Sequence, residues 1–225
     1  MSAHPARPAT ALTAAGIPSS KLGPARHARL TEPERALYFW ILRRFATSGR
    51  PSSSEIRAAA EPLGLRVEEA LATLAHEDLV HRDLDGEIAV AYPFSGRPTA
   101  HRVRFPSGHE VDAMCAFDAL GIAPMFGQTI EIFSRDPLSG EAIGVELEPD
   151  GTGSWRPDQA VVVAGALDAH ADSCRGCCPV LNFFASPASA ERWLSQHREV
   201  RSHVISVEEA IASGRAVFAR VFERW

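Results

Sequence analysis

The reactive chemistry of this chain gathers in two short segments. The first is Cys115, followed three residues later by Asp118. The second is the hexapeptide Cys174-Arg175-Gly176-Cys177-Cys178-Pro179, which holds the other three of the four cysteines. On an expected helix from Asp112 to Leu120, closed by Gly121 with Pro124 beyond, a spacing of three puts the Cys115 and Asp118 side chains on one face, one turn apart. Met114, Phe117 and Leu120 make that face partly apolar. Burial there raises a carboxyl pKa and suits it to carry a proton near neutral pH. Spacing alone favours a plainer reading, a core cysteine beside a surface aspartate.

The cysteine loop is harder to read as packing. Arg175 supplies a positive charge, which favours thiolate, the form that attacks electrophiles and binds soft metals. Three readings compete. Cys174 and Cys177 could be half of a zinc site, although a second paired half is absent and Cys115 with a histidine would have to complete it. They could be a thioredoxin-like redox pair, although the strand-then-helix setting is missing. One loop cysteine could instead join Cys115 and Asp118 in a composite site. The nine histidines are scattered: His101 and His109 flank a strand, His197 and His203 a loop, and no pair has the spacing of a helix-borne metal site. They read as surface or structural residues. There is no glycine-rich phosphate loop and no Gly-x-Ser-x-Gly elbow, so nucleotide and serine-hydrolase chemistry have no support.

The elements that must position these residues begin at Thr31. Thr31-Glu32-Pro33-Glu34 is an N-cap, a first-turn proline and a capping-box glutamate, and Leu37, Trp40, Ile41 and Phe45 follow at helical spacing. Gly49 and Pro51 end that helix. Ser52 with Glu55 opens a second, ended by Gly64, and a third runs through Val67, Ala70, Leu71 and Leu74. Residues 79–92 turn at Asp85-Gly86 and predict a hairpin. Three helices and a hairpin resemble a winged helix, a module that reads DNA with its third helix. Here that helix carries Glu68, Glu69, Glu77 and Asp78 against Arg66, which repels phosphates and favours a packing role. Beyond it, strands are expected at 103–105, 129–134, 142–148, 160–164, 180–184 and 203–205. One helix is expected after Ser186-Pro187. Another follows the capping box Ser206 to Glu209, burying Ala210, Ile211, Val217 and Val221.

Composition sets the class. Hydrophobic residues are 45% and charged residues 23% of 225, ordinary for a globular protein with a sizeable core. A net charge of -5 gives no general reason to bind nucleic acid or an anionic membrane, and no apolar run approaches a bilayer span. The first 31 residues lack Asp and Glu and are rich in Ala and Pro, with Arg7, Lys21, Arg26 and Arg29. Neither a transit peptide nor a secretory signal fits them, so residues 1–30 are expected to be a disordered tail. Without an export signal the expected compartment is the reducing cytoplasm, where thiols outlast disulfides.

Two segments carry a family resemblance. Met114-Cys115-Ala116-Phe117-Asp118-Ala119-Leu120, continuing to Pro124 and Gly127, resembles the active-site helix of organomercurial (alkylmercury) lyases. Cys178-Pro179-Val180-Leu181-Asn182-Phe183-Phe184-Ala185-Ser186 is similar to that family's second cysteine segment. There a cysteine precedes a Phe-Phe pair by five positions, which selects Cys178 over Cys177. Ala190 through Trp193 to His197, then Val204 to Ala210, resembles its C-terminal end. The resemblance spans roughly residues 30–222. It implies an α+β fold: a winged-helix-like three-helix subdomain at 31–98, then a mixed α/β catalytic domain at 99–225 with a largely antiparallel sheet. It also implies that Cys115, Asp118 and Cys178 are catalytic and hold the mercury of substrate and product. Cys174 and Cys177 are additions that could bind or pass on that product, or be bystanders. Many members have a further cysteine near Ser134, absent here.

The chemistry so implied needs no organic cofactor, because the metal belongs to the substrate. Mercury(II) is soft and prefers thiolates. Two cysteines bind it in turn, Asp118 accepts a thiol proton, and that proton goes to the departing carbon. Excess thiol, either a low-molecular-weight thiol or the cysteine pair of a mercuric reductase, then removes the product. The alternatives are a non-catalytic thiol-based heavy-metal sensor of the same fold, which binds metal without releasing hydrocarbon, and a winged-helix regulator, marked by salt-sensitive duplex binding.

Overall fold

The computed structural model describes residues 10–18, 27–168 and 171–218. After a short helix α1 (Thr10–Ala14) come α2 (Glu32–Ser48), α3 (Ser53–Ala60) and α4 (Val67–His76). The capping boxes expected for α2 and α3 form: Thr31 with Glu34 and Ser52 with Glu55 each satisfy a backbone N–H in both directions. The hairpin follows as β1 (Val80–Arg82) and β2 (Ile88–Ala91), then β3 (Phe94–Ser95), β4 (Arg102–Arg104) and β5 (Glu110–Ala113). On α4, Glu68 pairs with Arg82 and Glu69 with Arg66, so its acids serve local ion pairs.

The remaining elements are α5 (Ala116–Phe126), β6 (Ile130–Arg135), β7 (Ala142–Leu147), β8 (Gly153–Arg156), β9 (Val161–Ala166), α6 (Ser173–Gly176), β10 (Phe183–Phe184), α7 (Pro187–Gln196), β11 (Arg201–Ser206) and α8 (Val207–Phe218). Val221, assigned to the last helix from sequence, lies outside the described residues. The fold is mixed α+β. One sheet has eight strands in the order β1-β2-β3-β5-β4-β6-β7-β8, a second has β10-β9-β11, and their pairings are antiparallel. The larger sheet runs through the expected boundary at 98/99, because β3 pairs with β5 at Phe94↔Ala113 and Ser95↔Asp112. No helix among the described residues is long and apolar enough to cross a membrane.

Two expectations are corrected. Residues 10–18 and 27–30, placed in a loose tail, contribute Leu12, Ala15, Ile17 and Leu30 to the buried core. The Ala-Pro bias hid the few large apolar side chains that dock. The helix expected at Asp112–Leu120 instead runs from Ala116 to Phe126. Asp112 is in β5, held by sheet pairing and by the Thr99 N–H that donates to its carboxylate. Gly121 does not close the helix. A Cβ there would come within 2.1 Å of the Phe218 ring, so glycine lets α8 pack directly on α5. Pro124 forfeits one intrahelical bond, which burial of nine of the eleven residues outweighs. The chain turns out at Gly127, in the left-handed region at φ 65°.

A helix apolar all round belongs in the interior, and α5 is one, with Asp118 its sole charged residue. Opposite it, the cysteine loop is tied to the N-terminal helices. Asp78 is buried in the left-handed backbone region at φ 56°. Its carboxylate accepts from the Ser173 N–H at 3.1 Å and the Ser173 hydroxyl at 2.6 Å, with His81 on its other oxygen at 2.8 Å. Removing it strands two buried donors. Asp78→Ala is expected to destabilise the protein by about 1–3 kcal/mol, read as a lower urea midpoint. A midpoint within error of wild type would show that Asp78 does not hold the loop.

Candidate active site

Cys115 is the N-cap of α5, in extended backbone, and Asp118 is at the third helical position. The junction is clamped on both sides. The Met114 N–H donates to the Pro93 carbonyl, and the Ala116 N–H donates to the Leu181 carbonyl at 2.9 Å. The second bond joins the two cysteine segments directly. On the far side, the Cys178 N–H and Cys177 N–H both donate to the Ser173 carbonyl, and Val180 N–H and Leu181 N–H donate to the Cys177 carbonyl. Gly176 permits this tight loop, because a Cβ there would be 2.1 Å from the Asp168 carbonyl oxygen.

The Phe183–Phe184 pair works by strand alternation. Phe183 enters the main core, and Phe184 enters a second cluster with Val163, Val180, Ala190 and Trp193. The Ala185 N–H that follows donates to Asp136, whose other oxygen holds the β6–β7 turn through Leu138 and Ser139.

This frame brings three sequence-designated residues together. Cys115, Asp118 and Cys178 are only 2%, 5% and 6% exposed, and their ligand atoms lie within 4.8 Å of one another. Both thiols converge on one carboxylate oxygen: Oδ2 of Asp118 is 2.9 Å from Cys115 Sγ and 3.8 Å from Cys178 Sγ. The Tyr92 hydroxyl, not singled out from sequence, is 4.0 Å from Cys178 Sγ. These groups line a cavity of about 40 Å³ whose walls include Leu12, Ile17, Phe117, Leu181, Val217 and Phe218. Cys177 lines it too, whereas Cys174 is half-buried.

Electrostatics favour neutral thiols at rest, a correction to the thiolate expected from Arg175. Burial pushes the Cys115 thiol up to about 12, reinforced by the Asp118 carboxylate and opposed by hydrogen bonds from Cys178 and the Asp118 backbone. Cys178 lies well above the ordinary thiol range, first through its hydrogen bond to Cys115. Arg175 acts on Cys174, where burial outweighs it. An arrangement of two neutral thiols on one carboxylate oxygen can bind a soft cation by shedding protons, with the acceptor already in place.

A structural histidine supports the loop. Nε2 of the buried His101 is 3.1 Å from Asn182 Oδ1, and Nδ1 is 2.9 Å from Ser134 Oγ. Asn182 Nδ2 donates to the Pro179 carbonyl. Its Oδ1 therefore accepts from His101 Nε2–H, which leaves Nδ1 to accept from the Ser134 hydroxyl. Ser134 is thus a hydrogen-bonding partner of the buried histidine.

Burial lowers the His101 pKa from 6.5 to about 4. The unfolded chain thus takes up this proton earlier as pH falls. The neutral ring's stabilisation is complete above pH 6.5 and is lost as pH drops toward about 4, a span worth on the order of 3 kcal/mol. Urea unfolding from pH 7 to 4 should show this loss in wild type and a shallower one in His101→Gln. Equal slopes would refute it.

Known proteins resemble this chain in sequence and in fold. The MerB alkylmercury lyase family model matches residues 94–219. The alkylmercury lyase of Staphylococcus epidermidis is 34% identical over 187 residues, covering 82% of this chain and 84% of the relative. That of Bacillus cereus is 33% identical over 171 residues, covering 76% and 77%, and that of Pseudomonas putida is 29% identical over 191 residues, covering 84% and 87%. A crystal structure of the mercury-bound form of MerB2 superposes with a TM-score of 0.73 at 21% identity, over 87% of this chain and 95% of that one, so the fold is shared.

Proposed function

Because this chain belongs to the alkylmercury lyase family, we propose that it splits the carbon–mercury bond of organomercurials with Cys115, Cys178 and Asp118 as the working groups. The observation that carries the assignment of residues is the convergence of two buried thiols on one buried carboxylate oxygen.

The organomercurial arrives as R–Hg–S–R′, its thiol adduct in a reducing cytoplasm. A cysteine sulfur of the site binds mercury and displaces R′S⁻, which leaves with that cysteine's proton. The second sulfur then binds, and its proton moves to Asp118. Two thiolates push electron density onto mercury and weaken its bond to carbon. Asp118 returns the proton to carbon as the bond breaks. The balance closes: one R–Hg–S–R′ and two thiols give R–H, R′–SH and mercury(II) held by Cys115 and Cys178. The proton donor is buried beside the metal, so no bulk water has to enter. The apolar walls suit the R group, and the mechanism uses no organic cofactor. Product mercury leaves to outside thiols, either small cytosolic ones or the cysteine pair of a mercuric reductase.

Hydrocarbon release tests this. Purified protein given methylmercury and excess thiol should yield methane. Cys115→Ser and Cys178→Ser should each lose at least about a hundredfold in rate, because a single thiolate activates the bond less and one proton route is gone. Turnover by Cys178→Ser at the wild-type rate would remove the second sulfur from the mechanism.

A further inference from the structure

The reaction above consumes two of four cysteines, and the other two are not placed at random. Cys174 lies on α6, and Cys177, three positions later, is the residue that caps it. Cys177 is 7% exposed and lines the same cavity as Cys115, Asp118 and Cys178. Its Sγ is 3.5 Å from the Ser173 carbonyl and it hydrogen-bonds Cys178. Cys174 is half-buried, at the outer end of the loop. The Tyr92 hydroxyl spans the two positions: its oxygen is 4.0 Å from Cys178 Sγ, and it hydrogen-bonds Cys174. Sulfur atoms therefore run from the fully enclosed Cys115 through Cys178 and Cys177 to the half-buried Cys174. Product mercury on the buried Cys115 and Cys178 is less open to an outside thiol than mercury on the half-buried Cys174.

We propose that Cys174 and Cys177 are an acceptor pair that takes mercury(II) from Cys115 and Cys178 after the carbon–mercury bond has broken and presents it to an outside thiol. This rests on the lyase reading above. Each step is ligand exchange at mercury(II), with no change of oxidation state. The Cys177 thiol bonds to mercury, the Cys115–mercury bond breaks, and the proton of Cys177 ends on the Cys115 sulfur. The Cys174 thiol then displaces Cys178 in the same way. Two thiols are consumed and two restored, so the catalytic pair is reset while mercury still waits on the protein. An outside thiol completes release at Cys174. The soft metal prefers sulfur at every stage, and Cys174 is held above the ordinary thiol range by burial, with Tyr92 and Arg175 opposing, so it too gives up a proton on binding.

The test uses phenylmercury in one equivalent, with benzene measured first and mercury release to a limiting glutathione chase measured second. Wild type and Cys174→Ser should form benzene equally in that single turnover, since Cys174 does not line the cavity. Release should slow about tenfold or more in Cys174→Ser, because an intramolecular thiol acts at millimolar effective concentration. In wild type alone, Cys174 should be open to iodoacetamide before phenylmercury is added and protected after benzene has formed. Benzene with unchanged release, or with Cys174 alkylated equally before and after turnover, overturns the acceptor pair and leaves the lyase reading intact. No benzene from wild type would overturn the lyase reading and the acceptor pair with it.

Discussion

A carboxylate buried in an apolar helix must be satisfied by its neighbours, because an isolated buried charge costs more than a single domain can spare. Asp118 is that carboxylate, the one charged residue of α5. Its partners include two thiols, weak donors that would be poor choices for stability alone. A backbone bond from Ala116 to Leu181 sets the two cysteine segments face to face, and the rest of the fold secures that bond. The eight-stranded sheet delivers Cys115 to the start of α5, the three-stranded sheet holds the Phe-Phe strand beyond Cys178, and α8 closes over α5 through Gly121. The N-terminal helices contribute through Asp78, which anchors Ser173 at the root of the cysteine loop.

The chemistry follows from the same constraint. Burial at Cys115 and, at Cys178, first the hydrogen bond to Cys115 keep both thiols protonated, so the resting site carries its own protons and bulk solvent need not supply them. A soft cation that binds sulfur expels one proton with the departing thiolate and the other to the acceptor 2.9 Å from Cys115. That acceptor then holds a proton beside the metal, where a leaving carbon needs it. Dry walls, neutral thiols and a lone carboxylate are three faces of one arrangement.

Much of this was legible in the sequence, for local reasons. Capping boxes at Thr31, Ser52 and Ser206 fixed helix starts because their hydrogen bonds reach only three residues. Cys115, Asp118 and Cys178 were found by motif, and the strand alternation at Phe183–Phe184 now explains why that motif has two phenylalanines. What escaped depends on distant partners. Asp112 looked helical until β3 and β4 claimed its strand. Gly121 looked like a helix end because the ring of Phe218, 97 positions later in the numbering, cannot be seen from its neighbours. Tyr92, Asp78 and the His101–Ser134–Asn182 chain carry no local signature at all. Residues 10–18 were hidden by a low-complexity composition in which Leu12 and Ile17 dock singly.

The central claim is that Asp118 passes a proton to carbon and is not the group that retains the metal. Its most direct test is Asp118→Ala with phenylmercury and excess thiol, following benzene and protein-bound mercury together. The mechanism requires bound mercury comparable to wild type, with benzene formation down by about a hundredfold to ten-thousandfold, the range of a lost general acid. Benzene at the wild-type rate would contradict it and leave the two thiols to do the chemistry by another proton route.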